Sequence, residues 1–568
     1  MKTVADHADP ILRIHSPALD CAWRAWRVAW LLTAIGVLAY GASLRLSLPA
    51  WPWMGPDSIL YLVPSVNGGI YDIGPRTFVY PLFCRLATHG AGNLSDLIVT
   101  QRWLGLIGST SIFLAWYFLG RRIWRSRFAR AGHEFLGLGL LLLLAPSSIY
   151  ITYEQQALAE SFSAFLQCLL CVLLCLLWLP ASLIKRTLLA AGTAALGIFM
   201  YFANPRWGAA APMMIVVSLS AVIVAQNTIR RRLTAACCVL AAAFLSYVGL
   251  QAIEVRLVLR NPWADTFTPS TLLWLHADLA ANEFRRDLAA PIPPKNAALL
   301  RAMVQGVDKG IVGMGMGTSH WLTLSYDPDV LLCVPGSPND LLQKAFQNDP
   351  AGFARFCLRY YFRILWHQPI GYGRQVCRML AEYYAGPAID GAFREQVSAV
   401  FTWFESSASL VRHLAKNCAL PELRPKLEAQ AAEMQRHSGA HLAYRPADWL
   451  VKTAKLAHSS FLLVTLAGAG CALWALVSPP LRAFHGINTL AWICLASILV
   501  LFAQELTLAM VTMTEGRYAD ALRTLAAFSE ICSLAMIGNL AAEYGIRWAR
   551  SRFAANPAYF SSGGIFSR

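Results

Sequence analysis

The stretch that decides the fold lies between residues 185 and 232. It reads Lys185-Arg186, then TLLAAGTAALGIFMYFA, then Asn204-Pro-Arg206-Trp207, then GAAAPMMIVVSLSAVIVAQ and, after three further residues, Arg230-Arg231-Arg232. Each apolar run approaches the roughly 20 residues that a helix needs to cross about 30 Å of hydrocarbon. Basic residues favour the cytoplasmic side of a membrane. The pattern therefore predicts two spanning helices that leave the cytoplasm and return to it.

The rest of the chain repeats this pattern. We count ten apolar runs, at about 28–44, 97–119, 135–151, 157–180, 187–203, 208–226, 233–255, 456–477, 488–507 and 521–544. Hydrophobic residues make up 57% of the chain and charged residues 14%, whereas a soluble domain has about a quarter of its residues charged. This composition excludes a soluble enzyme, a disordered chain and a collagen-like chain. Because a lone spanning segment must satisfy its own backbone hydrogen bonds, the runs predict an all-α polytopic membrane protein.

The charge of the connections predicts the topology. Basic residues occupy the connections on one side of the ten runs, at Lys2, Arg13, Arg24, Arg27, Arg121, Arg122, Arg125, Arg127, Arg130, Lys185, Arg186, Arg230, Arg231, Arg232, Arg482, Arg547, Arg550 and Arg552. The net charge of +16 thus reports orientation rather than a nucleic-acid partner. We expect both termini in the cytoplasm and a location in a bacterial inner membrane. No cleavable signal peptide is expected, since the first apolar run is long enough to remain as an anchor.

Three regions follow from this topology. Residues 1–255 are predicted to form an N-terminal module of seven spans with a first external loop at 45–96. Residues 256–455 are predicted to form a mainly helical external (periplasmic) domain, and residues 456–568 the last transmembrane helices and a cytoplasmic tail. Of fourteen cysteines, Cys333, Cys357, Cys377 and Cys418 fall in the external domain, where disulfides are permitted. Four cysteines allow three pairings, and the sequence does not choose among them.

Ionisable residues of both signs gather at the external ends of the spans. They are Asp57, Asp72, Glu154, Glu160, Arg76, Arg206, Glu515, Arg517 and Asp520. Ionisable groups near membrane depth are costly and usually mark a site. We therefore expect a functional cavity at the external membrane surface.

Asp57 lies in the first external loop, within Gly55-Pro-Asp57-Ser-Ile-Leu-Tyr61, where the pattern predicts the start of an interfacial helix. One interpretation is that Asp57 caps this helix by accepting backbone N–H bonds. The other is that Asp57 is a general base that deprotonates an acceptor hydroxyl. The two roles are compatible, because a capped carboxylate is held rigidly.

Two acidic residues lie at the junction of the third and fourth spans, Glu154 in the connection and Glu160 just inside the fourth run. Glu154 could simply favour the positive end of a helix dipole. Glu160 lies deeper, where an unpaired carboxylate is costly, and Arg206 or Arg517 could pair with it. A structural ion pair and a substrate contact both remain open for Glu160.

An arginine stands beside an aromatic residue at two external helix junctions, Arg206-Trp207 and Arg517-Tyr518. These pairs could anchor the helices at the membrane interface. Arginine on the external side opposes the positive-inside rule, however, and its guanidinium suits a bidentate phosphate partner. The phosphate of a lipid would supply that partner.

The order of these motifs resembles the GT-C superfamily of membrane glycosyltransferases, which includes the protein O-mannosyltransferases and the transferase that adds aminoarabinose to lipid A. The matching segments are Gly55 to Tyr61, Arg76 to Pro81, Pro146 to Ser161 and Glu515 to Tyr518. The chain departs from the best-known members because Ser58 follows Asp57 in place of an Asp-Glu pair, and because it lacks a Lys-Pro-Pro run.

The resemblance implies an enzyme that transfers a sugar, with inversion, from a polyprenyl-phosphate carrier to an envelope glycan, lipid or protein. It implies Asp57 as the catalytic base, and Arg76, Arg206 and Arg517 as ligands of the donor phosphate. Tyr61, Glu154, Glu160 and Tyr518 are then expected to contact substrate. No cofactor is predicted, and the use of a divalent cation stays open. A lipid or oligosaccharide transporter (a flippase) and a non-catalytic envelope-assembly protein remain the alternatives; a transporter should show internal repeats and broken helices.

A further pattern lies in the external domain, where Arg355, Arg359 and Arg363 recur every fourth residue among aromatic residues. This spacing puts three arginines on one face of a helix. That face could be solvated, or it could rest on lipid headgroups.

Overall fold

A computed structural model of the protein describes residues 17–66, 77–90, 92–124, 126–224, 228–257, 262–291, 293–313, 326, 328–385, 406–437, 447–482, 484–511 and 522–555. The structure is 86% helical, and within these ranges the one β contact is an isolated parallel bridge between Trp53 and Gln156. The predicted all-α class is confirmed.

The described residues of the N-terminal module form ten α-helices. They are α1 (Pro17–Leu46), α2 (Pro56–Val66), α3 (Val79–Ala87), α4 (Ser95–Ile123), α5 (Arg127–Leu144), α6 (Ser148–Glu154), α7 (Ala159–Leu177), α8 (Leu183–Ala203), α9 (Ala210–Val224) and α10 (Ile229–Leu257). Helix α4 packs on α7, α7 on α8, α8 on α9 and α9 on α10, and α8 also packs on α10. This arrangement is the antiparallel bundle expected of consecutive spans joined by short turns.

The central region is helical, as the sequence predicted. Its helices are α11 (Phe267–Trp274), α12 (Ala277–Leu288), α13 (Pro294–Gly313), α14 (Pro328–Cys333), α15 (Pro338–Ala345), α16 (Pro350–His367), α17 (Pro369–Ala385), α18 (406–416) and α19 (Arg424–His437). Trp274, Phe284 and Phe353 are fully buried and form the centre of its α11–α16 part.

The C-terminal region contains further long apolar helices. It consists of α20 (Asp448–Val477), the short α21 (Pro479–Arg482), α22 (His485–Val511) and α23 (Arg523–Ala555). Helices α20, α22 and α23 pack on one another, and α23 also packs on α5 and α7. The two membrane regions therefore form one bundle.

Eight helices are long and apolar enough to cross a membrane within the described part of the chain. They are Asp20–Leu46, Ser95–Ile123, Ala159–Leu177, Leu183–Ala203, Ile229–Leu257, Asp448–Val477, Gly486–Val511 and Arg523–Gly545. Each corresponds to one of the ten predicted runs. The predicted run 208–226 corresponds to α9, which is apolar but shorter.

The predicted run 135–151 is wrong as a single helix. Helix α5 ends at Leu144, and α6 begins anew at Ser148. Pro146 lies between them and has no backbone N–H to continue the helical hydrogen bonds, and its ring crowds the preceding turn, which explains the break. Hydropathy alone did not reveal it, because the residues on both sides of the break are apolar.

The predicted external segments meet at one end of this bundle. The first loop and the end of the central region share a hydrophobic core, in which Leu62 and Leu97 lie with Leu414 and Leu427. The Met54 N–H donates to the Ser407 hydroxyl at 2.8 Å. Helices α2 and α3 are therefore held between the bundle and α18–α19.

The arginines of α16 have different environments. Arg363 donates to both carboxylate oxygens of Asp287 in α12, each at 2.7 Å, and Tyr360 donates to the same carboxylate at 2.6 Å. Hydrogen bonds from the Arg363 guanidinium hold the pKa of Asp287 below its usual value. Arg355 and Arg359 are exposed. Arg363 therefore joins α16 to α12, whereas the other two arginines on this face of α16 are exposed.

Among the predicted disulfide candidates, Cys357 and Cys418 are buried free thiols and Cys377 is an exposed one. Burial raises the pKa of the Cys357 thiol, so this sulfur packs as a small apolar group.

Candidate functional site

The first loop is bound to the junction between α6 and α7 by backbone hydrogen bonds. The Trp53 N–H donates to the Gln155 carbonyl at 2.7 Å, and the Ala157 N–H donates to the Trp53 carbonyl at 3.2 Å. The Gln155 side chain also donates to the carbonyl oxygen of Pro49 at 2.7 Å. Because three bonds fix the loop from both sides, the start of α2 has a defined position over the bundle.

Asp57 lies in the first turn of α2, which begins at Pro56. Gly55 precedes the helix, and its N–H donates to the Ser58 hydroxyl at 3.1 Å. This bond is one half of a capping box, in which the side chain of the third helical residue accepts a hydrogen bond from the backbone N–H of the cap residue. The predicted helix start is therefore confirmed, but Gly55 rather than Asp57 occupies the cap position. The half-buried Asp57 instead lies in the first turn, near the positive end of the helix dipole.

Tyr61 lies one turn after Asp57 on the same face of α2, at the spacing that makes helical side chains neighbours. Its ring meets the ring of Tyr80 edge-on, with centroids 4.9 Å apart. Tyr80 is fully buried, and burial raises the pKa of its phenol, with further contributions from Cys84, Tyr61 and Glu160. The phenol therefore stays protonated and donates to Gln101 Oε1 at 2.9 Å.

Glu160 and Arg206 form an ion pair at 3.2 Å, as one of the open predictions proposed. The Glu160 carboxylate is 3% exposed, whereas 19% of the Arg206 side chain remains exposed. Within the described residues, Glu160 Oε2 is buried and has no hydrogen-bond partner. A buried carboxylate oxygen without a donor is costly, which is typical of a site that completes its contacts with a ligand.

The backbone of Arg206 is fixed by two helices. Asn204 caps the short turn Pro205–Trp207 by accepting the Arg206 N–H at 3.2 Å. Gln504 of α22 donates to the Arg206 carbonyl and accepts the Ala210 N–H at 3.2 Å. The guanidinium therefore projects from a rigid support, which lowers the entropic cost of holding a ligand.

Glu154, which is predicted to contact substrate, forms an ion pair with Arg45 inside the protein. Arg45 donates to both of its carboxylate oxygens, at 2.6 and 2.7 Å, and the two residues are 1% and 3% exposed. Arg45 also donates to the carbonyls of Gly41 and Ala145. Both oxygens of Glu154 are thus engaged within the protein, and this geometry favours a structural role.

Three of the predicted site residues, Arg76, Arg517 and Tyr518, lie outside the described residues. The structure therefore brings together Tyr61, Glu160 and Arg206, with Asp57 one turn from Tyr61 on the same helix. It places Glu154 in a buried ion pair with Arg45, beside a small cavity that Tyr150 and Ser161 also line.

Several polar residues in this region were not predicted from the sequence. The sequence predicts Arg45 in the first external loop, whereas it lies in α1, and Gln101 and Arg102 lie within the predicted run 97–119. Gln101 donates to the carbonyls of Glu154 and Gln156 at 2.8 and 2.9 Å, and so holds the junction in place. The sequence does contain a signal for Gln101 and Arg102, because polar side chains within apolar helices usually have a function or form a structural hydrogen bond.

Within the described residues, no group of three or more His, Cys, Asp or Glu side chains could hold a metal ion. Cys168, Cys171 and Cys175, which have a metal-like spacing, are buried in α7 among apolar side chains.

The fold thus defines the chain as an all-α, multi-pass membrane protein with polar side chains gathered at one end of its bundle. Comparisons with protein-family models, with curated proteins and with solved structures each found no match.

Proposed function

We propose that the protein is a membrane glycosyltransferase that moves a sugar from a polyprenyl-phosphate carrier to an envelope glycan, lipid or protein. One observation carries this proposal. Tyr61 and Glu160 lie near the buried ring of Tyr80, Arg206 pairs with Glu160, and Asp57 lies one turn before Tyr61 on α2, so three separate segments of the chain contribute to one region. A base, an aromatic wall and a supported arginine are the groups that such a transfer needs.

The chemistry assigns a role to each residue. Asp57 accepts the proton of the acceptor hydroxyl while that oxygen attacks the anomeric carbon. The bond between this carbon and the carrier phosphate breaks, and the phosphate oxygen keeps the electron pair. Arg206 compensates the charge that develops on this leaving group. Attack opposite the leaving phosphate inverts the anomeric carbon, and Tyr61 lines the sugar pocket.

Glu160 orients Arg206 in this proposal. The contact of 3.2 Å with Glu160 holds one side of the guanidinium, and 19% of the Arg206 side chain remains exposed. The same carboxylate offers its second oxygen to a sugar hydroxyl, which would satisfy the unpartnered Oε2.

Arg206→Ala is expected to weaken donor binding by roughly ten- to hundredfold, because a charge-assisted hydrogen bond to phosphate is lost. Arg206→Lys should restore binding only partly, since lysine lacks the bidentate fork. The dissociation constant of a polyprenyl-phosphate sugar, measured on protein in nanodiscs, checks both variants. Arg285→Ala, in an exposed ion pair with Asp308 at 2.6 Å, is the control and should bind normally.

The double variant Arg206→Ala/Glu160→Gln separates phosphate binding from a purely structural ion pair. Removing Arg206 alone leaves a buried carboxylate without its counter-charge, which destabilises the fold. The Gln substitution removes that charge and should recover thermal stability, while donor binding stays weak. Recovery of both stability and binding would show that the pair is structural and would contradict the proposal.

The proposal also places the site on the periplasmic face, with both termini in the cytoplasm. Single cysteines at exposed Arg127 and exposed Glu428, in a variant without other exposed cysteines, should label from opposite sides. A membrane-impermeant maleimide should reach residue 428 in cells with a permeable outer membrane, and residue 127 only after lysis. Labelling of both positions from the same side would contradict this topology.

A further inference from the structure

A second polar region lies inside the bundle, away from the proposed site. A cavity of about 90 Å³ is lined by α20, α22 and α23 and by the segment around Tyr150. Its polar lining includes Glu505, Glu530, His458 and Arg523, and its apolar wall includes Phe461 and Leu522. A few polar side chains that converge within a partly apolar lining are typical of small-molecule binding sites.

The two carboxylates of this cavity are buried in apolar spanning helices. Glu505 of α22 and Glu530 of α23 are each 6% exposed. Glu505 Oε2 accepts the hydroxyl of Tyr384, and Glu530 Oε1 accepts the hydroxyl of Ser460 at 3.1 Å. Neither carboxylate has an ion pair within the described residues, and the second oxygen of each has no donor there.

Such carboxylates are expensive at membrane depth unless a cation accompanies them. Glu530 lies seven residues after the start of α23, which is roughly 10 Å along the helix axis. Two carboxylates with open oxygens in one cavity suit a cation that donates several hydrogen bonds. A primary ammonium group has three donors, whereas a quaternary ammonium group has none.

Other side chains of the cavity suit further parts of a ligand that carries a primary ammonium group. Arg523 lies two helical turns before Glu530, so both residues are on the same face of α23 and line the same space. An arginine at that position suits a phosphate group. Phe461, Leu522 and neighbouring alanines supply an apolar surface for a hydrocarbon chain.

We infer that this cavity binds an aminophospholipid through its headgroup. The primary ammonium lies between Glu505 and Glu530, the phosphate lies at Arg523, and an acyl chain follows the apolar wall. This assignment does not rest on the proposed glycosyltransferase activity, because it uses none of the residues of that site.

The test compares three lipids with the same acyl chains, added to the delipidated full-length protein in detergent. Phosphatidylethanolamine carries a primary ammonium and a phosphate, phosphatidylcholine carries a quaternary ammonium, and phosphatidylglycerol carries no amine. Native mass spectrometry should show phosphatidylethanolamine bound roughly tenfold or more tightly than the other two. Equal binding of phosphatidylethanolamine and phosphatidylcholine would overturn the inference, whatever the variants show.

Variants then locate the site. Glu505→Gln and Glu530→Gln should each remove most of the preference for phosphatidylethanolamine. Glu543→Gln, the same change on the same helix but outside the cavity, should retain it. If a carboxylate variant does not fold, Ala454→Trp decides the question, because it fills the cavity and keeps both charges. An unchanged preference in Ala454→Trp would place the lipid elsewhere and overturn the inference.

Discussion

Asp57→Asn is expected to lower the turnover of sugar transfer by roughly 10²–10⁴-fold, the usual contribution of a general base. Asparagine has nearly the same shape and keeps the hydrogen-bonding capacity of the side chain, but it does not accept a proton at neutral pH. The structure sharpens this test, because Gly55 and Ser58 form the start of α2. Thermal stability and donor affinity should therefore stay close to those of the unmodified protein.

Asp96→Asn is the matched control for this variant. Asp96 lies in the first turn of α4, just as Asp57 lies in the first turn of α2, and it accepts a hydrogen bond from Asn93 at 3.0 Å. It is not part of the candidate site, so its replacement should leave turnover unchanged. Near-normal turnover of Asp57→Asn would remove Asp57 from the mechanism, and equal losses in both variants would indicate a general effect of surface charge.

Glu154→Gln is expected to destabilise the protein by about 3–5 kcal/mol, because it leaves the buried Arg45 without its counter-charge. Arg45→Met should cost a similar amount for the converse reason. The double variant Arg45→Met/Glu154→Leu replaces both charges by apolar groups and should recover most of the stability. Denaturant unfolding of the protein in detergent measures all three free energies.

The exposed ion pair of Arg285 and Asp308 provides the comparison for this prediction. Both side chains are about half exposed, so Asp308→Asn should change the free energy of unfolding by less than about 1 kcal/mol. A loss for Glu154→Gln no larger than that of Asp308→Asn would show that the buried pair does not hold the junction. It would also reopen a substrate role for Glu154.

The membrane helices could be predicted from the sequence because hydropathy is a local property. Each of the eight long apolar helices corresponds to a predicted run. The prediction of a single helix at 135–151 was wrong because a proline interrupts the apolar stretch between Leu144 and Ser148, and run 208–226 is a shorter helix. Average hydropathy does not register such a break, although the missing backbone N–H of Pro146 predicts it.

Pairing between distant residues was predictable only in part. The pair of Glu160 and Arg206 could be anticipated because two opposite charges stood at external junctions, where each needed a partner. The pair of Arg45 and Glu154 could not, because the two are 109 residues apart and the sequence does not specify how α1 turns toward α6. The close contact between Gly105 and Glu154 could not be predicted from the sequence either. A Cβ at this position would lie 1.8 Å from Glu154 Oε1, which only the packed structure reveals.

The central claim is sugar transfer from a polyprenyl-phosphate donor at the site of Asp57 and Arg206. The most direct measurement incubates the purified protein with labelled polyprenyl-phosphate sugars and envelope extract in liposomes, and follows the carrier by mass spectrometry. The account predicts conversion of one donor to free polyprenyl phosphate by the unmodified protein and by Asp96→Asn, and little conversion by Asp57→Asn. Absence of conversion for every donor, or equal conversion by Asp57→Asn, would contradict it.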